Sequence, residues 1–304
     1  MIRANCRYLV KGKELLMKGS LLMTNRTITM KRKRQEKVEL PASFREKHVA
    51  EFIEGCDRIL EVDPTLLDTM ISKDFPLFLK KEQTEMTLDH HFAKLGSSIL
   101  AQQISGNAAM AVKKKFMALF DDVFPTYKQL RDVLKQDDGT EKLRACGLSQ
   151  RKVIYMGSLA EYFEKNEGEI LDLFTKESND VIEKELVDKI KGIGPWSAQM
   201  FLVTSLERMD VFASGDLGVA RGCSKYLDAR PEFLKDLMTK RTEIRRSKIK
   251  HKKLNWKVYD EDIVEKCGEA FAPFRTIFMF LLWRVSSTNV EVIEKNENNY
   301  VNGT

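Results

Sequence analysis

The sequence is poor in the residues that build disulfide frameworks and metal centres. Its 304 residues include five cysteines, and no two of them form a CxxC pair. This spacing argues against a structural zinc site or an iron–sulfur cluster and indicates a reduced intracellular chain. The longest apolar run, IFMFLLW at 277–283, is too short to cross a bilayer. It predicts a core helix and no membrane partner.

Strand patterns and internal repeats are also missing from the sequence. Alternation of polar and apolar residues is confined to short pieces such as MDVFA at 209–213. From Leu40 onward apolar residues recur at helical spacing instead, as in Ala109, Val112 and Phe116. Because 43% of the residues are apolar, the chain can bury a sizeable core. We therefore predict an all-α fold.

The basic residues are concentrated in two segments. Residues 1–38 carry a local charge of +9 and residues 239–253 carry +7, which leaves the rest of the chain at −10 within an overall +6. Affinity for a polyanion must therefore come from patches rather than from the overall field of the protein. The run RRSKIKHKK at 245–253 is either a phosphate-binding patch or a solvated loop, and its His251 is given no catalytic role.

Residues 1–38 are predicted to be a separate basic extension. A disordered arm, a mitochondrial transit peptide and a start codon upstream of Met30 are all compatible with its composition. The pattern MKRKR at 30–34 is typical of a nuclear localisation signal. We expect a nuclear protein, with mitochondrial import through the extension as the alternative.

The stretch IKGIGPWSAQMFL at 190–202 predicts a tight turn between two helices. Gly192 and Gly194 flank Ile193, and the following Pro195 suits the first helical position. The free amides of this helix N-terminus, with the hydroxyl of Ser197, form a potential anion site for a phosphate. The alternative is a helical corner whose glycines only allow close packing.

Five segments together resemble the helix–hairpin–helix DNA glycosylase superfamily. They are LAQQISGNAA (100–109), CGLSQRK (146–152), KGIGPWSA (191–198), DVFASGDLGVARG (210–222) and PFRTIFMFLLWR (273–284). Within the superfamily the chain is most similar to the alkyladenine branch, 3-methyladenine DNA glycosylase II of the fungal type. The resemblance covers roughly residues 40–290 and implies two helical subdomains flanking a cleft.

The resemblance implies this domain organisation and partner. A first, discontinuous subdomain is expected over 39–96 and 209–292, with 239–253 as a basic insertion; a second subdomain is expected over 97–208, followed by a tail at 293–304. The expected partner is double-stranded DNA with alkylated bases, bound by a monomer. The implied reaction is hydrolysis of the N-glycosidic bond of alkylated purines, with no required cofactor, as the first step of base excision repair.

The resemblance assigns the catalytic carboxylate to Asp216. Cleavage of an N-glycosidic bond develops positive charge on the sugar, and an ionised carboxylate stabilises that charge or orients the attacking water. The local sequence alone favours an N-cap, because Asp216 precedes LGVARG. Asp210 is the competing carboxylate, and we expect it to satisfy backbone groups at a helix end.

The start of the second hairpin helix decides between two kinds of glycosylase. Relatives that also cut the DNA strand carry a lysine nucleophile there, which forms a Schiff base with the sugar. This chain has Trp196 at that position, while Lys189 and Lys191 precede the turn. The resemblance therefore implies a monofunctional enzyme. A bifunctional glycosylase/lyase and a non-catalytic DNA-binding protein are the alternatives.

Two further sets of residues are implied by base flipping, which leaves a gap in the duplex and needs a pocket for the base. Gln103, with Ile104 beside it, aligns with the residue that fills the gap, although bacterial relatives use an apolar wedge there. The alternative is a polar interruption on an amphipathic helix. Trp196, Met200 and Phe274 align with the walls of the base pocket, and core packing is the alternative for Phe274.

The remaining assignments concern a cation and the other polar or aromatic residues. The resemblance implies a sodium or potassium ion on the main-chain carbonyls of Asp188, Ile190 and Ile193. His90 and His91 lack metal-ligand spacing and are predicted to lie at the surface. Trp256 and Trp283 are predicted to serve packing only.

Overall fold

The computed structural model describes residues 38–81, 86–249 and 254–288. The predictions for residues 1–37, including the MKRKR signal, lie outside the described residues. The same is true of residues 250–253 in the basic run and of the tail at 293–304.

Fifteen α-helices account for most of the described residues. They are α1 (Ala42–Lys47), α2 (Ala50–Val62), α3 (Leu67–Ile71), α4 (Leu88–Ala101), α5 (Gly106–Met117), α6 (Tyr127–Leu134), α7 (Gly139–Ala145), α8 (Gln150–Lys165), α9 (Ile170–Lys176), α10 (Asn179–Lys189), α11 (Pro195–Thr204), α12 (Leu217–Asp228), α13 (Pro231–Thr239), α14 (Glu261–Glu269) and α15 (Arg275–Val285). Short 3₁₀ helices cover Pro64–Leu66, Pro76–Phe78 and Ala118–Phe120.

The prediction of an all-α fold is confirmed. Within the described ranges the β structure is limited to one isolated antiparallel bridge between His48 and Leu79. No helix in these ranges combines the length and the apolar character that a bilayer crossing requires.

Several of the helices that carry the site begin at a serine whose hydroxyl caps the helix N-terminus. Ser105, Ser149 and Ser178 each accept a hydrogen bond from the backbone N–H three residues later, at the starts of α5, α8 and α10. Such N-caps satisfy amides that have no partner within the helix. Each helix therefore begins at a residue fixed by the local sequence.

Clusters of aromatic rings lie in the hydrophobic core. One comprises Phe44, Phe52, Phe75, Phe78 and Phe280, another comprises Phe92, Phe116, Phe124, Tyr127 and Phe163, and a further one comprises Phe212, Tyr226, Phe271 and Phe278. The predicted boundary between residues 96 and 97 falls inside α4, whereas the boundary at 208 falls in the loop between α11 and α12. The division into two subdomains stays a prediction.

The prediction that both histidines of α4 lie at the surface is wrong for His91. Its side chain is 3% exposed and its Nδ1 lies 3.0 Å from Ser205 Oγ. The ring packs edge-on against Phe174 and Phe201. Burial lowers the pKa of His91 to about 4, so the imidazole is neutral at physiological pH. His90 is only half-buried.

The described part of the basic run is held by acidic residues at the start of α14. Arg241 contacts both Asp260 and Asp262, and Arg246 also pairs with Asp260. Arg245 donates its backbone N–H to Asp262 and pairs with Glu265 through its guanidinium. Each of these three arginines is therefore paired with at least one carboxylate of the protein, and Arg246 is the most exposed of them at 81%.

Candidate active site and DNA-facing hairpin

The predicted hairpin consists of residues 190–194 between α10 and α11. Ile193 is buried, and its N–H donates to the Ile190 carbonyl at 3.2 Å, which closes the turn. Gly192 has φ +86°, a region that L-residues with a side chain avoid. A Cβ at Gly192 would also lie 2.2 Å from Cδ2 of Tyr155. Both the backbone and the packing therefore require glycine at this position.

Gly194 has a different role from Gly192. Its φ is −105°, and a Cβ built there meets no atom within 4 Å. The position therefore faces open space at the N-terminus of α11, where amides without helical partners and the helix dipole attract anions. The Ser197 side chain is only 7% exposed, so little of it is available to a ligand from solution.

Asp216 lies at the N-terminus of α12, and its carboxylate accepts three N–H groups. Oδ1 accepts the backbone N–H of Val219 and the indole Nε1–H of Trp283, both at 2.8 Å. Oδ2 accepts the indole Nε1–H of Trp196 at 3.0 Å. The N-cap interpretation is therefore geometrically correct, and the same carboxylate is also joined to the first turn of α11. The two interpretations do not exclude each other.

Asp210, the competing carboxylate, accepts the backbone N–H of Arg275 at the start of α15 at 3.4 Å, as expected, and it also binds the Arg275 side chain. It forms a two-point ion pair with Arg275, with Nε to Oδ1 at 2.6 Å and Nη2 to Oδ2 at 2.9 Å. This hydrogen bonding raises the pKa of Arg275 above its ordinary value. Both oxygens of Asp210 are therefore engaged by a guanidinium located 65 residues away in the sequence.

A cavity of about 650 Å³ lies next to the hairpin. Trp196, Met200, Ser197, Gly192 and Gln103 line it, as do the basic residues Lys113, Arg151 and Lys152. Its described lining includes no carboxylate. Trp196 is 45% exposed. Its indole both lines the cavity and donates a hydrogen bond to Asp216. Phe274 is not among the residues that line this cavity. Its ring lies beside Gly55, where an added Cβ would come within 2.6 Å of Phe274 Cδ1. Its place in the base pocket stays a prediction.

Two of the lysines that line this cavity were not predicted from the sequence to belong to the site. Lys113 is buried and donates to Ser97 Oγ at 2.7 Å, and Lys152 donates to the Leu100 carbonyl at 2.6 Å. Burial lowers the pKa of Lys152. Lys191 is exposed, and its backbone N–H donates to Ser158 Oγ at 3.0 Å. The CGLSQRK pattern could have pointed to Lys152, whereas no local signal pointed to Lys113.

Residues 102–105 form a loop between α4 and α5, called here the wedge loop. Gln103 has φ +57°, an uncommon conformation for a residue other than glycine. Its side chain is exposed, as is that of Ile104 at 39%. Gln102 Nε2 donates to the Gly192 carbonyl at 2.8 Å. The loop and the hairpin therefore lie side by side and are joined by a hydrogen bond.

The comparisons with known proteins agree with this geometry. Residues 97–245 match the model of the HhH-GPD superfamily of base excision DNA repair proteins. The chain is 49% identical to a DNA-3-methyladenine glycosylase of Saccharomyces cerevisiae over 266 residues, which cover 87% of this chain and 90% of the yeast protein. This chain belongs to the HhH-GPD superfamily.

Other superfamily members are more distant. DNA-3-methyladenine glycosylase 1 of Schizosaccharomyces pombe is 31% identical over 199 residues, 64% of this chain and 72% of that protein. The crystal structure of a DNA-3-methyladenine glycosidase from Bacillus halodurans superposes with a TM-score of 0.50 at 28% identity, covering 76% of this chain and 93% of that one. These matches confirm that the chain is an HhH glycosylase of the alkyladenine branch.

The matched region holds most, but not all, of the candidate site. The wedge loop, the hairpin and Asp216 lie within residues 97–245. Phe274, which precedes α15, and Trp283, which lies on α15, follow this region and are not covered by the superfamily model. The contribution of α15 to the site therefore rests on its contacts.

Proposed function

We propose that this chain is a monofunctional DNA glycosylase that excises alkylated purines, 3-methyladenine above all and 7-methylguanine in addition, during base excision repair. The yeast relative, a DNA-3-methyladenine glycosylase, supports this proposal. The observation that carries it is the 3.0 Å bond between Asp216 and Trp196, 20 residues apart. It joins a carboxylate to the helix whose N-terminus is suited to bind a phosphate.

The hairpin is proposed to hold the DNA backbone. Gly194 leaves the amides at the start of α11 open, and such amides bind phosphate oxygens without reading the base. Gln103 of the neighbouring wedge loop then fills the gap left by the flipped nucleotide, which costs a few kcal/mol to unstack. Because Gln102 bonds to Gly192, backbone binding and gap filling occur at adjacent places.

The flipped base is proposed to meet the exposed indole of Trp196. An alkylated purine carries positive charge, and an aromatic face attracts a cation by about 0.5–2 kcal/mol. Met200 and Phe274 complete the pocket in this proposal. The three cations that line the cavity repel a cationic base, so we place the base against Trp196, whose indole contacts Asp216, and not beside the basic residues.

The reaction needs one carboxylate from the protein. As the bond between C1′ and the purine nitrogen breaks, its electron pair leaves with the base and neutralises the positive charge on the alkylpurine. The Asp216 carboxylate stabilises the positive charge that develops on the sugar. Water then adds its oxygen to C1′ and transfers its proton to the carboxylate or to solvent. The products are the free base and an abasic site.

A monovalent cation at the hairpin is part of the proposal. The carbonyls of Asp188, Ile190 and Ile193 belong to the end of α10 and the turn, where helical carbonyls have no partners in a following turn. The Ile190 carbonyl accepts one N–H from Ile193 and keeps a second lone pair. Carbonyl oxygens of this kind are suitable ligands for Na⁺ or K⁺. The cation would offset the partial negative charge of these oxygens, which would otherwise repel a nearby phosphate. The chain is further proposed to act as a monomer in the nucleus.

Substitution of Asp216 by Asn tests the proposal. Asparagine is as good an N-cap as aspartate, so the start of α12 should persist. We expect base release from methylated DNA to fall at least about a hundred-fold, because acid–base groups contribute about 10²–10⁴, with unchanged DNA affinity. Asp210→Asn is the matched control, since Asp210 is paired with Arg275. Equal activity of wild type and Asp216→Asn would remove Asp216 from the mechanism.

Borohydride trapping tests the bifunctional alternative. Lys152 is the lysine to examine, because burial lowers its pKa and it lines the cavity. We expect no covalent complex with lesion DNA, since its Nζ is bound to the Leu100 carbonyl. Capture by wild type that is lost in Lys152→Arg would show a lyase.

A further inference from the structure

We propose that Trp283 is a positioning residue for Asp216 and that Oδ2, not Oδ1, is the oxygen that faces the reacting sugar. This inference deepens the proposed function and rests on it. Trp283 had been expected to serve packing only, and it is indeed 1% exposed. Its indole Nε1–H nevertheless donates to Asp216 Oδ1 at 2.8 Å.

The two oxygens of Asp216 have different surroundings. Oδ1 accepts two N–H groups, from Val219 and Trp283. Oδ2 accepts one, from Trp196, whose side chain is 45% exposed. Donors to a carboxylate are among the stronger hydrogen bonds in proteins, so two of them from buried, ordered groups fix Oδ1. Oδ2 keeps a lone pair on the open side, where a sugar or a water can approach.

Trp283 reaches Asp216 because α12 and α15 approach closely. A Cβ at Gly222 would lie 2.1 Å from the Leu282 carbonyl oxygen. A Cβ at Gly218 would lie 2.7 Å from Trp283 Cδ1 and 3.1 Å from Asp216 Oδ1. Residues four apart share one face of a helix, so both glycines lie on the face of α12 that meets α15.

These contacts give the LGVARG segment a purpose beyond a helix start. Gly222 lets the backbone of α15 approach, and Gly218 leaves room for the indole beside the carboxylate. The Trp283 ring also packs edge-on against Phe280, with centroids 5.1 Å apart. The indole therefore has a fixed orientation, and its N–H fixes the rotation of the Asp216 carboxylate.

Trp283→Phe tests this role, since it keeps an aromatic ring and removes only the N–H and part of the area. We expect the single-turnover rate of base release to fall about 10- to 100-fold, or about 1.4–2.8 kcal/mol at 1.4 kcal/mol per factor of ten, with unchanged DNA affinity. The fall should appear in the chemical step alone, because the lost N–H acts only on the Asp216 carboxylate. A role in packing alone would lower the thermal midpoint without lowering the rate of the folded enzyme.

Phe278→Leu is the matched control on the same helix. Phe278 is fully buried against Phe271, Phe212 and Tyr226, away from Asp216. Phe278→Leu should lower the thermal midpoint at least as much as Trp283→Phe while keeping the single-turnover rate of wild type. A loss of rate in both variants in proportion to stability would overturn the positioning role.

Gly218→Ala is a second variant that keeps the indole but displaces it. Its added Cβ collides with Trp283 and Asp216, so a similar fall of the single-turnover rate is expected. A wild-type rate in both Gly218→Ala and Trp283→Phe would overturn the inference.

The indole N–H resonances provide a measurement that needs no activity. The chain has three tryptophans, and Trp283→Phe and Trp196→Phe assign two of the three signals. The signals of Trp283 and Trp196 should shift together in Asp216→Asn, while that of Trp256 stays in place. A Trp283 signal that ignores the Asp216 substitution would overturn the inference. Lack of base release by wild type would instead overturn the proposed function, and the shared shift would still establish the contact.

Discussion

Gly192 and Gly194 form a matched pair in the hairpin, and alanine at each should have a different effect. At Gly192 the φ of +86° places alanine in the left-handed region, which costs about 1–2 kcal/mol. The added Cβ also meets the Tyr155 ring at 2.2 Å, and overpacking of this kind costs about 1–3 kcal/mol. We expect Gly192→Ala to lower the free energy of unfolding by about 2–5 kcal/mol.

At Gly194 neither cost applies. Its φ is −105° and its Cβ would meet no atom within 4 Å, so stability should change by less than about 1 kcal/mol. The new methyl group would project beside the amides proposed to bind phosphate, so DNA affinity should fall instead. Urea unfolding and fluorescence anisotropy with duplex DNA separate the two effects.

Tyr155→Ala separates the two contributions to the destabilisation by Gly192→Ala, which are the left-handed backbone and the collision with the Tyr155 ring. In that background the collision is removed, so Gly192→Ala should cost only the left-handed backbone contribution of about 1–2 kcal/mol. A double-mutant cycle measures this difference directly. If Gly192→Ala costs no more than Gly194→Ala, the geometry assigned to the turn is wrong.

Two further predictions concern stability. Because the pKa of His91 is lowered from 6.5 to about 4, the unfolded chain binds more protons between these values. The free energy of unfolding should therefore fall as pH drops from 6.5 toward 4, by up to about 3 kcal/mol. His91→Gln should reduce this dependence on pH. The same pH dependence in wild type and His91→Gln would contradict the burial of the ring. Arg241→Leu should cost about 3–5 kcal/mol in urea unfolding, because it leaves the 1% exposed carboxylate of Asp262 without its cation. A loss similar to that of Arg246→Leu, whose side chain is 81% exposed, would contradict this.

The local signals in the sequence predicted the hairpin well. Two glycines, a proline and helical apolar spacing act within a few residues of one another, and the structure has a turn and two helices where they predict them. The start of α12 followed in the same way from Asp216 at a capping position. These features depend on backbone preferences that each residue carries with it.

The partners of the site residues could not be predicted in this way. Trp283 lies 67 residues from Asp216, and Arg275 lies 65 residues from Asp210. Contacts across such distances depend on how α12 and α15 pack. That packing depends on glycines in α12, and their spacing predicts a close approach without indicating which helix approaches. His91 was misassigned for a related reason, because an isolated imidazole on an amphipathic helix can face either side.

The hydrogen bond from Gln102 to the Gly192 carbonyl sets the distance between the wedge loop and the hairpin. On the proposed function, it joins the loop that would enter the duplex to the turn that would bind a phosphate. Insertion would then take place at a fixed distance from the bound phosphate, because one side-chain amide links the two segments.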